Sequence, residues 1–397
     1  MLREEFAFFE KAPELVDPLM PFVYFDSAAT MQRPDMVIRA ESDYYQTLNT
    51  NPLRGLYKIS EQSTKLLNTA RKKVAQYIGA DPDELVFVKS TTEGINLVAN
   101  GVVEMIEGQS VILIDIDAHH SNILPFTERY KKQARVSNDL MGDYQKNANK
   151  VKIISLTGLS NVSGRDQIGL AKELRAKGYE GLILLDAAQL IAHKKIDVKK
   201  MGVDFLVFSG HKIGAPMGVG VLYMKRELMG LIKPLNYGGE MVESVRMVDG
   251  KLEADWAFGP QKYEGGTIDM GGVAGLLKAI EFWEQYNKSN QLFEETEELT
   301  RYTVQKMQTV GKIKIYFGEN GIVLFNIEGV HAHDTAQILS NYGVMVRAGW
   351  HCAEPFLTMQ EIGPAVRASL AFYNTRAEVD YFVSILKRIR GEMGLEK

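Results

Sequence analysis

The stretch Phe205-Leu-Val-Phe-Ser-Gly-His-Lys212 is an apolar run that ends in small and polar residues. An apolar run without alternation is typical of a strand buried on both faces of a parallel sheet. Polar groups at the carboxyl end of such a strand lie where open α/β sheets bind ligands. A lysine there can be desolvated, which lowers its pKa and frees it for Schiff-base chemistry; a surface lysine after a strand is the commoner alternative. Lys212 is therefore the first candidate for a catalytic residue.

Further apolar runs lie on both sides of this stretch and predict more strands of the same sheet. The predicted strands are residues 85–88, 111–114, 151–156, 182–185, 205–208 and 219–224. Amphipathic patterns between them predict helices at 63–78, 91–103 and 167–177. Alternating strands and helices indicate βαβ units, so we predict an α/β fold with a mostly parallel sheet.

The pattern of the chain changes after residue 270, where long helices alternate with short strand-like segments. Helices are predicted at 275–286, 293–307 and 377–389, and strands at 312–317 and 322–327. This mixture predicts a smaller α+β domain of residues 1–20 and 275–397, beside a large α/β domain of residues 21–274. Residues 235–272 are rich in glycine and poorly periodic, so we predict a long functional loop there.

The composition argues against several classes of protein. The chain has 397 residues with 46 Lys and Arg against 50 Asp and Glu, and this net charge of −4 argues against nucleic-acid binding. No apolar run approaches the roughly 18 residues of a membrane span, so no membrane association is expected. The acidic amino-terminal segment has the pattern of neither a signal peptide nor a transit peptide. With Cys352 as the single cysteine, no internal disulfide can form, and a cytoplasmic location is expected.

The stretch Leu182-Ile-Leu-Leu-Asp-Ala-Ala-Gln189 ends a second apolar run in an aspartate. A buried carboxylate is costly unless a cationic group pairs with it. The protonated nitrogen of a pyridine ring is such a group, and the pairing makes the ring a better electron sink. A cap on the following helix is an equally good interpretation of Asp186 taken alone.

The stretch Lys89-Ser-Thr-Thr-Glu93 opens a predicted helix after the strand 85–88. Ser90 and Glu93 fit a capping box. The free amides and the positive dipole of a helix start also suit a phosphate group, to which Thr91 and Thr92 could add hydroxyls. Taken alone, the stretch is more typical of a plain helix cap.

Two histidines follow the strand 111–114 in the stretch Asp117-Ala-His-His-Ser-Asn122. An imidazole ring there could stack on a flat cofactor, bind zinc, or belong to a polar loop. The remaining histidines show no ligand spacing that joins them to this pair, so no metal site is expected.

Two arginines lie on either side of the only cysteine, Arg347 before Cys352 and Arg367 after it. Arginine side chains bind carboxylates with two parallel hydrogen bonds, and nearby positive charge lowers the pKa of a thiol. The pattern predicts an anion site beside a reactive thiol. Arginines on a strand edge with a small buried cysteine are the alternative.

Taken together in this order, the motifs resemble those of the group II cysteine desulfurases of the SufS and CsdA kind. These are pyridoxal-phosphate enzymes of the class V aminotransferase group with fold-type I architecture. The resemblance covers nearly the whole chain, from Tyr24-Phe-Asp-Ser-Ala-Ala-Thr30 to Arg367-Ala-Ser-Leu-Ala-Phe-Tyr-Asn-Thr375. It implies a large domain around a mostly parallel, seven-stranded sheet flanked by helices, and a smaller α+β domain that carries Cys352 and Arg367.

The resemblance also implies how the chain holds pyridoxal 5'-phosphate. Lys212 binds the cofactor covalently, Asp186 pairs with its ring nitrogen and Gln189 with its ring hydroxyl. His120 stacks on the ring and takes part in catalysis. The residues implied to hold the phosphate are Thr91, Thr92, Ser209 and His211, joined by Thr267 from the other subunit of a homodimer.

The implied substrate is L-cysteine, which becomes L-alanine. Asn161 and Arg367 bind the substrate carboxylate, with Arg347 close by. Lys212 moves the α-proton, and Cys352 takes the sulfur as a persulfide. A sulfur-acceptor protein of iron–sulfur cluster assembly is the implied partner.

The chain departs from the family pattern near the expected substrate mouth and partner-docking region. Leu53, Tyr57 and Trp350 stand where histidines are common in the family. Gly265 replaces the alanine of the usual Glu-Ala-Gly-Thr segment. The alternatives are therefore a lyase acting on L-selenocysteine with the same residues, and a class V transaminase or epimerase in which Cys352 is incidental. A pyridoxal-phosphate-binding scaffold is a further alternative, although it would need no nucleophile.

Overall fold

The computed structural model describes residues 2–16 and 19–395, and its centre is a sheet of seven strands. The strands of this sheet are β2 (Leu85–Val88), β3 (Val111–Asp115), β4 (Ala134–Ser137), β5 (Val151–Thr157), β6 (Leu182–Asp186), β7 (Phe205–Ser209) and β8 (Gly220–Met224). Their order is β2-β8-β7-β6-β5-β3-β4, and β8 alone runs in the direction opposite to the other six strands. The predicted mostly parallel α/β sheet is confirmed.

Helices cover both faces of this sheet. The helices of the chain are α1 (Phe8–Lys11), α2 (Asp35–Thr47), α3 (Lys58–Tyr77), α4 (Thr91–Gly101), α5 (His120–Arg129), α6 (Leu140–Lys146), α7 (Ile168–Ala176), α8 (Val198–Met201), α9 (Met270–Tyr286), α10 (Gln291–Met307), α11 (Ala332–Asn341), α12 (Glu354–Met359) and α13 (Arg376–Glu392). In β7, Leu206 and Phe208 pack into the core with α3 and α9, whereas Phe205 and Val207 pack with α4 and α5. Burial on both faces explains why this strand reads as a continuous apolar run.

A second sheet of four antiparallel strands lies in the carboxyl-terminal part of the chain. Its strands, in order across the sheet, are β11 (Ile313–Glu319), β12 (Ile322–Ile327), β15 (Ala365–Ser369) and β14 (Arg347–Gly349). Its apolar face packs with α10, α11 and α13. A short parallel pair, β1 (Val23–Tyr24) with β13 (Val344–Met345), joins the amino-terminal segment to this part of the chain.

The glycine-rich segment 235–272 contains a hairpin that the sequence did not predict. Its strands are β9 (Val242–Val248) and β10 (Lys251–Trp256), and nearly all of their side chains are exposed. The prediction of a long loop is wrong there, because a strand pair with no buried face has no apolar pattern that marks it. An isolated two-stranded hairpin is marginally stable in water, so another surface is needed to cover it.

The expected division at residue 274 cuts through a helix that packs as one piece. Val273, Leu276, Ile280 and Trp283 of α9 all lie in the core of the large sheet. The first part of the chain behaves similarly, since Phe6 is buried in the same core. Residues 1, 17, 18, 396 and 397 of the expected smaller domain lie outside the described residues.

Candidate active site

A cavity of about 260 Å³ opens at the carboxyl ends of β5, β6 and β7. Parallel strands place their following loops at one edge, so residues far apart in the sequence meet there. The cavity wall contains eight of the residues expected at the site: Thr91, Thr92, Asn161, Asp186, Gln189, Ser209, His211 and Lys212. The residues expected at the site that do not line this cavity are His120, Thr267, Arg347, Cys352 and Arg367.

Lys212 lies in the short turn that follows β7, and its side chain is half-buried. Its Nζ donates to the carbonyl oxygens of Ala28 (2.5 Å) and Ala29 (3.1 Å). Burial lowers the pKa of Lys212 to about 7, with a contribution from the positive charge of Arg367 that Asp186 partly offsets. The amine can therefore be neutral near pH 7, as a nucleophile or a base must be.

Asp186 ends β6 and lies on the same cavity wall. Burial raises its pKa to about 6, while a hydrogen bond from the backbone N–H of Ala188 (2.9 Å) and the charge of Lys212 act in the other direction. Gln189 follows it and donates from Nε2 to the carbonyl oxygen of Ala28 (2.8 Å). A buried carboxylate of this kind suits a cationic ring nitrogen.

The first turn of α4 and the end of β7 form a cluster of hydroxyl and amide groups. Ser90 caps the helix by accepting from the backbone N–H of Glu93. The backbone N–H of Thr91 donates to Ser209 Oγ (2.7 Å), and Thr92 Oγ1 lies 2.9 Å from Ser121 Oγ. Hydroxyls around a helix N-terminus suit a phosphate group.

His120, the histidine that the resemblance implies to stack on the cofactor, does not line the cavity. His119, and not His120, lines the cavity with Lys212. His119 caps α5 by accepting from the backbone N–H of Ser121 at Nδ1 (3.1 Å), which leaves Nε2 to carry the proton. Burial lowers the pKa of His119 to about 4, so the ring is neutral at physiological pH. The ring of His120 instead lines an open groove beside Cys352.

His211 lies between Ser209 and Lys212 on the same wall. Its Nδ1 is 3.3 Å from Thr30 Oγ1. Burial lowers the pKa of His211 to about 4, and the charges of Lys212 and Arg33 contribute. The ring is therefore neutral and can donate one hydrogen bond into the cavity.

The two arginines are directly opposite each other on the neighbouring strands β14 and β15. The carboxylate of Asp26 lies between them, 2.8 Å from Arg347 Nη2 and 3.5 Å from Arg367 Nη2. Arg347 is largely exposed, whereas the Arg367 guanidinium is buried and donates from Nη1 to the carbonyl oxygen of Asn161 (2.9 Å). Within the described residues Arg367 Nε has no hydrogen-bond partner, so one donor remains for an anion. Asp26 lies within the motif Tyr24–Thr30, and no sequence pattern assigned it a role.

Cys352 is exposed in the turn between β14 and α12. His351 and Cys352 both have left-handed backbones, with φ of 52° and 56°. Such a conformation is unfavourable for residues other than glycine, so surrounding contacts must hold it. Asn161 Nδ2 donates to the backbone carbonyl oxygen of His351 (2.8 Å). The backbone N–H of His120 donates to the backbone carbonyl oxygen of Cys352 (2.8 Å).

Thr267 lies in a separate cavity with Lys89 and Glu93 of the same chain. Glu264, three residues before Thr267, is held by Arg71, which donates two hydrogen bonds of 2.7 Å to its carboxylate. The role of Thr267 at another subunit's phosphate site stays a prediction.

In residues 2–16 and 19–395, no three side chains of His, Cys, Asp or Glu are grouped so that they could hold a metal ion. Within the same ranges, no helix has the length and apolar character that a membrane crossing requires.

Comparisons with known proteins agree with this geometry. The family model described as aminotransferase class-V matches residues 23–382. A cysteine desulfurase from Escherichia fergusonii is 35% identical over 393 residues, which cover 94% of this chain and 95% of that protein. A cysteine desulfurase from Escherichia coli (strain K12 / DH10B) shows the same identity and coverage.

Two solved structures are similar over nearly the full length of the chain. The apo cysteine desulfurase from Thermococcus onnurineus NA1 has a TM-score of 0.86 at 31% identity and covers 96% of this chain and 98% of its own. The cysteine desulfurase CsdA from Escherichia coli, in an S-sulfonic acid form, has a TM-score of 0.87 at 30% identity and covers 98% of both chains. The chain therefore belongs to the class V aminotransferase family and groups within it with the cysteine desulfurases.

Proposed function

We propose that this chain is a pyridoxal-phosphate-dependent cysteine desulfurase that converts L-cysteine to L-alanine and keeps the sulfur on Cys352. The observation that carries the proposal is the pairing of Lys212 and Asp186 in one cavity. Their pKa values are displaced in opposite directions, to about 7 and about 6. Such displaced groups cluster at functional sites.

The residues around the cavity fit pyridoxal phosphate at each of its functional groups. Asp186 would suit the ring nitrogen, Lys212 the aldehyde carbon, and the neutral ring of His119, which lines the same cavity, would suit a stacking contact with the cofactor. The phosphate suits the first turn of α4 with Ser209 and His211. Bound there, pyridoxal phosphate supplies an electron sink for the substrate's α-carbon.

The chain's own residues supply the proton transfer and the nucleophile. Lys212 Nζ takes the proton from the α-carbon of L-cysteine. The thiolate of Cys352 attacks the substrate sulfur, an S–S bond forms, and the substrate's Cβ–S bond breaks with its electron pair remaining on carbon. Protonation of that carbon and return of a proton from Lys212 Nζ to the α-carbon give alanine and leave a persulfide on Cys352.

The proposal is tested by incubating the protein with L-cysteine and a thiol reductant and measuring alanine and sulfide together. Equal amounts of the two products are expected, because each turnover releases one alanine and one sulfur atom. A keto acid, or D-cysteine without sulfide, would instead identify a transaminase or an epimerase.

Arg367→Ala is expected to raise KM for L-cysteine and to lower kcat/KM by about tenfold or more. The free Nε and the neighbouring Nη atoms can bind the substrate carboxylate, and charge-assisted hydrogen bonds contribute roughly 1.5–3 kcal/mol. Arg376→Ala is the control, because that arginine pairs with Glu298 on the surface. Unchanged kinetics in Arg367→Ala would mean that the carboxylate is bound elsewhere.

The chain is further proposed to act as a homodimer. The β9–β10 hairpin exposes Val245, Met247 and Leu252, the last of them 73% exposed. A second copy of the chain would cover this surface. The same arrangement would bring Thr267 to the phosphate site of the neighbouring subunit. Within its own chain, Thr267 lies in a different cavity from the phosphate site.

Mixed dimers test the placement of Thr267. Subunits carrying Lys212→Ala are exchanged with subunits carrying Thr267→Ala, each of which is expected to be poorly active by itself. If Thr267 acts across the dimer, each hybrid contains one intact site, and activity and cofactor affinity return in the mixture. If mixing restores nothing although sedimentation shows that hybrids form, Thr267 acts in its own chain or not at all.

The proposal extends to a cytoplasmic location and to a sulfur-acceptor protein of iron–sulfur cluster assembly. The exposed side chain of Cys352, beside an open groove lined by His120, Leu124 and Arg129, supports the acceptor protein. A persulfide there is accessible to a second protein's thiol. Transfer of labelled sulfur from the loaded chain to a candidate acceptor is the direct measurement.

A further inference from the structure

Asp117 is a buried carboxylate that the proposed chemistry leaves without a role. It lies between β3 and α5, two residues before His119, and only 4% of its surface is exposed. Its Oδ1 accepts a hydrogen bond from Ser160 Oγ (2.5 Å), and its Oδ2 accepts one from Ser163 Oγ (2.7 Å). One side chain thus joins the loop after β3 to the loop after its neighbour β5.

The two serines shape the loop that carries Asn161. Ser160 Oγ accepts from the backbone N–H groups of Val162 (3.2 Å) and Ser163 (3.0 Å). Ser163 Oγ accepts in turn from the backbone N–H of Arg165 (3.2 Å). Because both hydroxyl protons are given to Asp117, both oxygens remain available as acceptors for these amides.

Asn161 connects this loop to the carboxyl-terminal part of the site. Its backbone carbonyl oxygen accepts a hydrogen bond from Arg367 Nη1 (2.9 Å). Its side-chain Nδ2 donates to the backbone carbonyl oxygen of His351 (2.8 Å). The first contact orients the buried guanidinium. The second holds the strained turn that presents Cys352.

The charge of Asp117 is costly in this environment. Burial raises its pKa to about 7 and the nearby Asp115 adds to this, whereas both serine hydroxyls and Arg165 act in the other direction. A carboxylate accepts shorter and stronger hydrogen bonds than a neutral group does. Its position at the junction of the two loops fixes both more tightly than a neutral side chain could.

We propose that Asp117 is a positioning residue which, through Ser160, Ser163 and Asn161, sets the placement of Arg367 and of the Cys352 turn. The part that concerns substrate binding rests on the proposed function. The part that concerns the Cys352 thiol does not, since it follows from the contacts of Asn161 alone.

The test uses Asp117→Asn, Ser163→Ala and a matched control, Asp143→Asn. Asp143 also accepts a hydrogen bond from a serine, Ser137 Oγ at 2.8 Å, which ends β4 at the far edge of the sheet. For each variant, the unfolding temperature, KM and kcat for L-cysteine, and the rate of Cys352 alkylation by iodoacetamide are measured. Cys352 is the only cysteine, so alkylation reports on it alone.

Asp117→Asn is expected to raise KM about tenfold, since Arg367 loses its orientation. It is expected to change the alkylation rate about threefold, because the turn that presents Cys352 is no longer held by the hydrogen bond from Asn161 Nδ2 to the carbonyl oxygen of His351. Ser163→Ala is expected to change KM and the alkylation rate in the same direction as Asp117→Asn, but by less. Asp143→Asn is expected to change neither KM nor the alkylation rate, even if it lowers the unfolding temperature.

Two outcomes separate this proposal from the proposed function. If the wild type does not turn over L-cysteine, the desulfurase proposal fails, and the alkylation rates still decide the role of Asp117. Alkylation and KM equal to wild type in Ser163→Ala and in folded Asp117→Asn would overturn the positioning role. If Asp117→Asn does not fold, Ser163→Ala alone decides in the same way.

Discussion

Lys212→Ala is expected to lower cysteine turnover by at least about a thousandfold and to abolish covalent attachment of the cofactor. A positioned general base contributes roughly 10²–10⁴ to a rate, and Lys212 also provides the cofactor's attachment point. The measurement is mass spectrometry after borohydride reduction, which is expected to find the phosphopyridoxyl group on the Lys212 peptide of the wild type. The variant is expected to lack this modification and the yellow colour of the attached cofactor.

Lys199→Ala is the matched control, because Lys199 is an exposed lysine that pairs with Asp81. It is expected to keep the wild-type colour and rate. A phosphopyridoxyl group on any lysine other than Lys212 would contradict the assignment.

The same lysine predicts how cofactor loading depends on pH. Burial lowers the pKa of Lys212 to about 7, and only the neutral amine attacks an aldehyde. Attachment to the apoprotein is therefore expected to accelerate as the pH rises through 7 and to level off above it. A rise centred near the ordinary lysine value of roughly 10.4 would mean that the amine is solvated in the apoprotein.

Much of the fold could be predicted because the central strands are buried on both faces and so stand out as apolar runs. The strands β14 and β15 were missed because each carries an arginine. Arg367 is tolerated inside β15 because Asp26 and the carbonyl oxygen of Asn161 partner its guanidinium. Those partners come from distant parts of the chain, and no local pattern announces them.

The choice between His119 and His120 shows the corresponding limit at the site. Both residues have the same side chain, and the motif alone gives no reason to prefer one. The start of α5 separates them, because His119 is the capping residue and lines both the cavity and the groove, while His120 begins the helix and lines only the groove. The capping pattern, with a histidine Nδ1 that accepts from the N–H two residues later, was the available signal.

Asp26 was not assigned a role because its importance depends on three segments meeting. The residue follows β1, and the arginines come from β14 and β15. Its carboxylate separates two cations that would otherwise repel each other across the strand pair. Such compensation depends on tertiary structure, and so does the coupling of Asn161 to the Cys352 turn.

Cys352→Ala is expected to fold, to retain the cofactor and to bind L-cysteine, yet to lose alanine and sulfide production by at least about a hundredfold. Cys352 lines the groove outside the Lys212 cavity, so removing its thiol leaves the cofactor site intact. Cys352→Ser is expected to fail as well, because a hydroxyl stays protonated near neutral pH whereas a thiol is partly ionised and more nucleophilic. The absorbance of the bound cofactor, unchanged in both variants, is the control for folding and loading.

Mass spectrometry of the wild type decides between the desulfurase and its alternatives. After incubation with L-cysteine and no reductant, the Cys352 peptide is expected to carry one added sulfur atom, since nothing removes the persulfide. L-selenocysteine provides a second arm, because selenium is a better leaving group and its release can continue in Cys352→Ala if the chain is a selenocysteine lyase. An unmodified Cys352 peptide, together with full cysteine turnover by Cys352→Ala, would contradict sulfur transfer to this thiol and favour the transaminase or epimerase alternative.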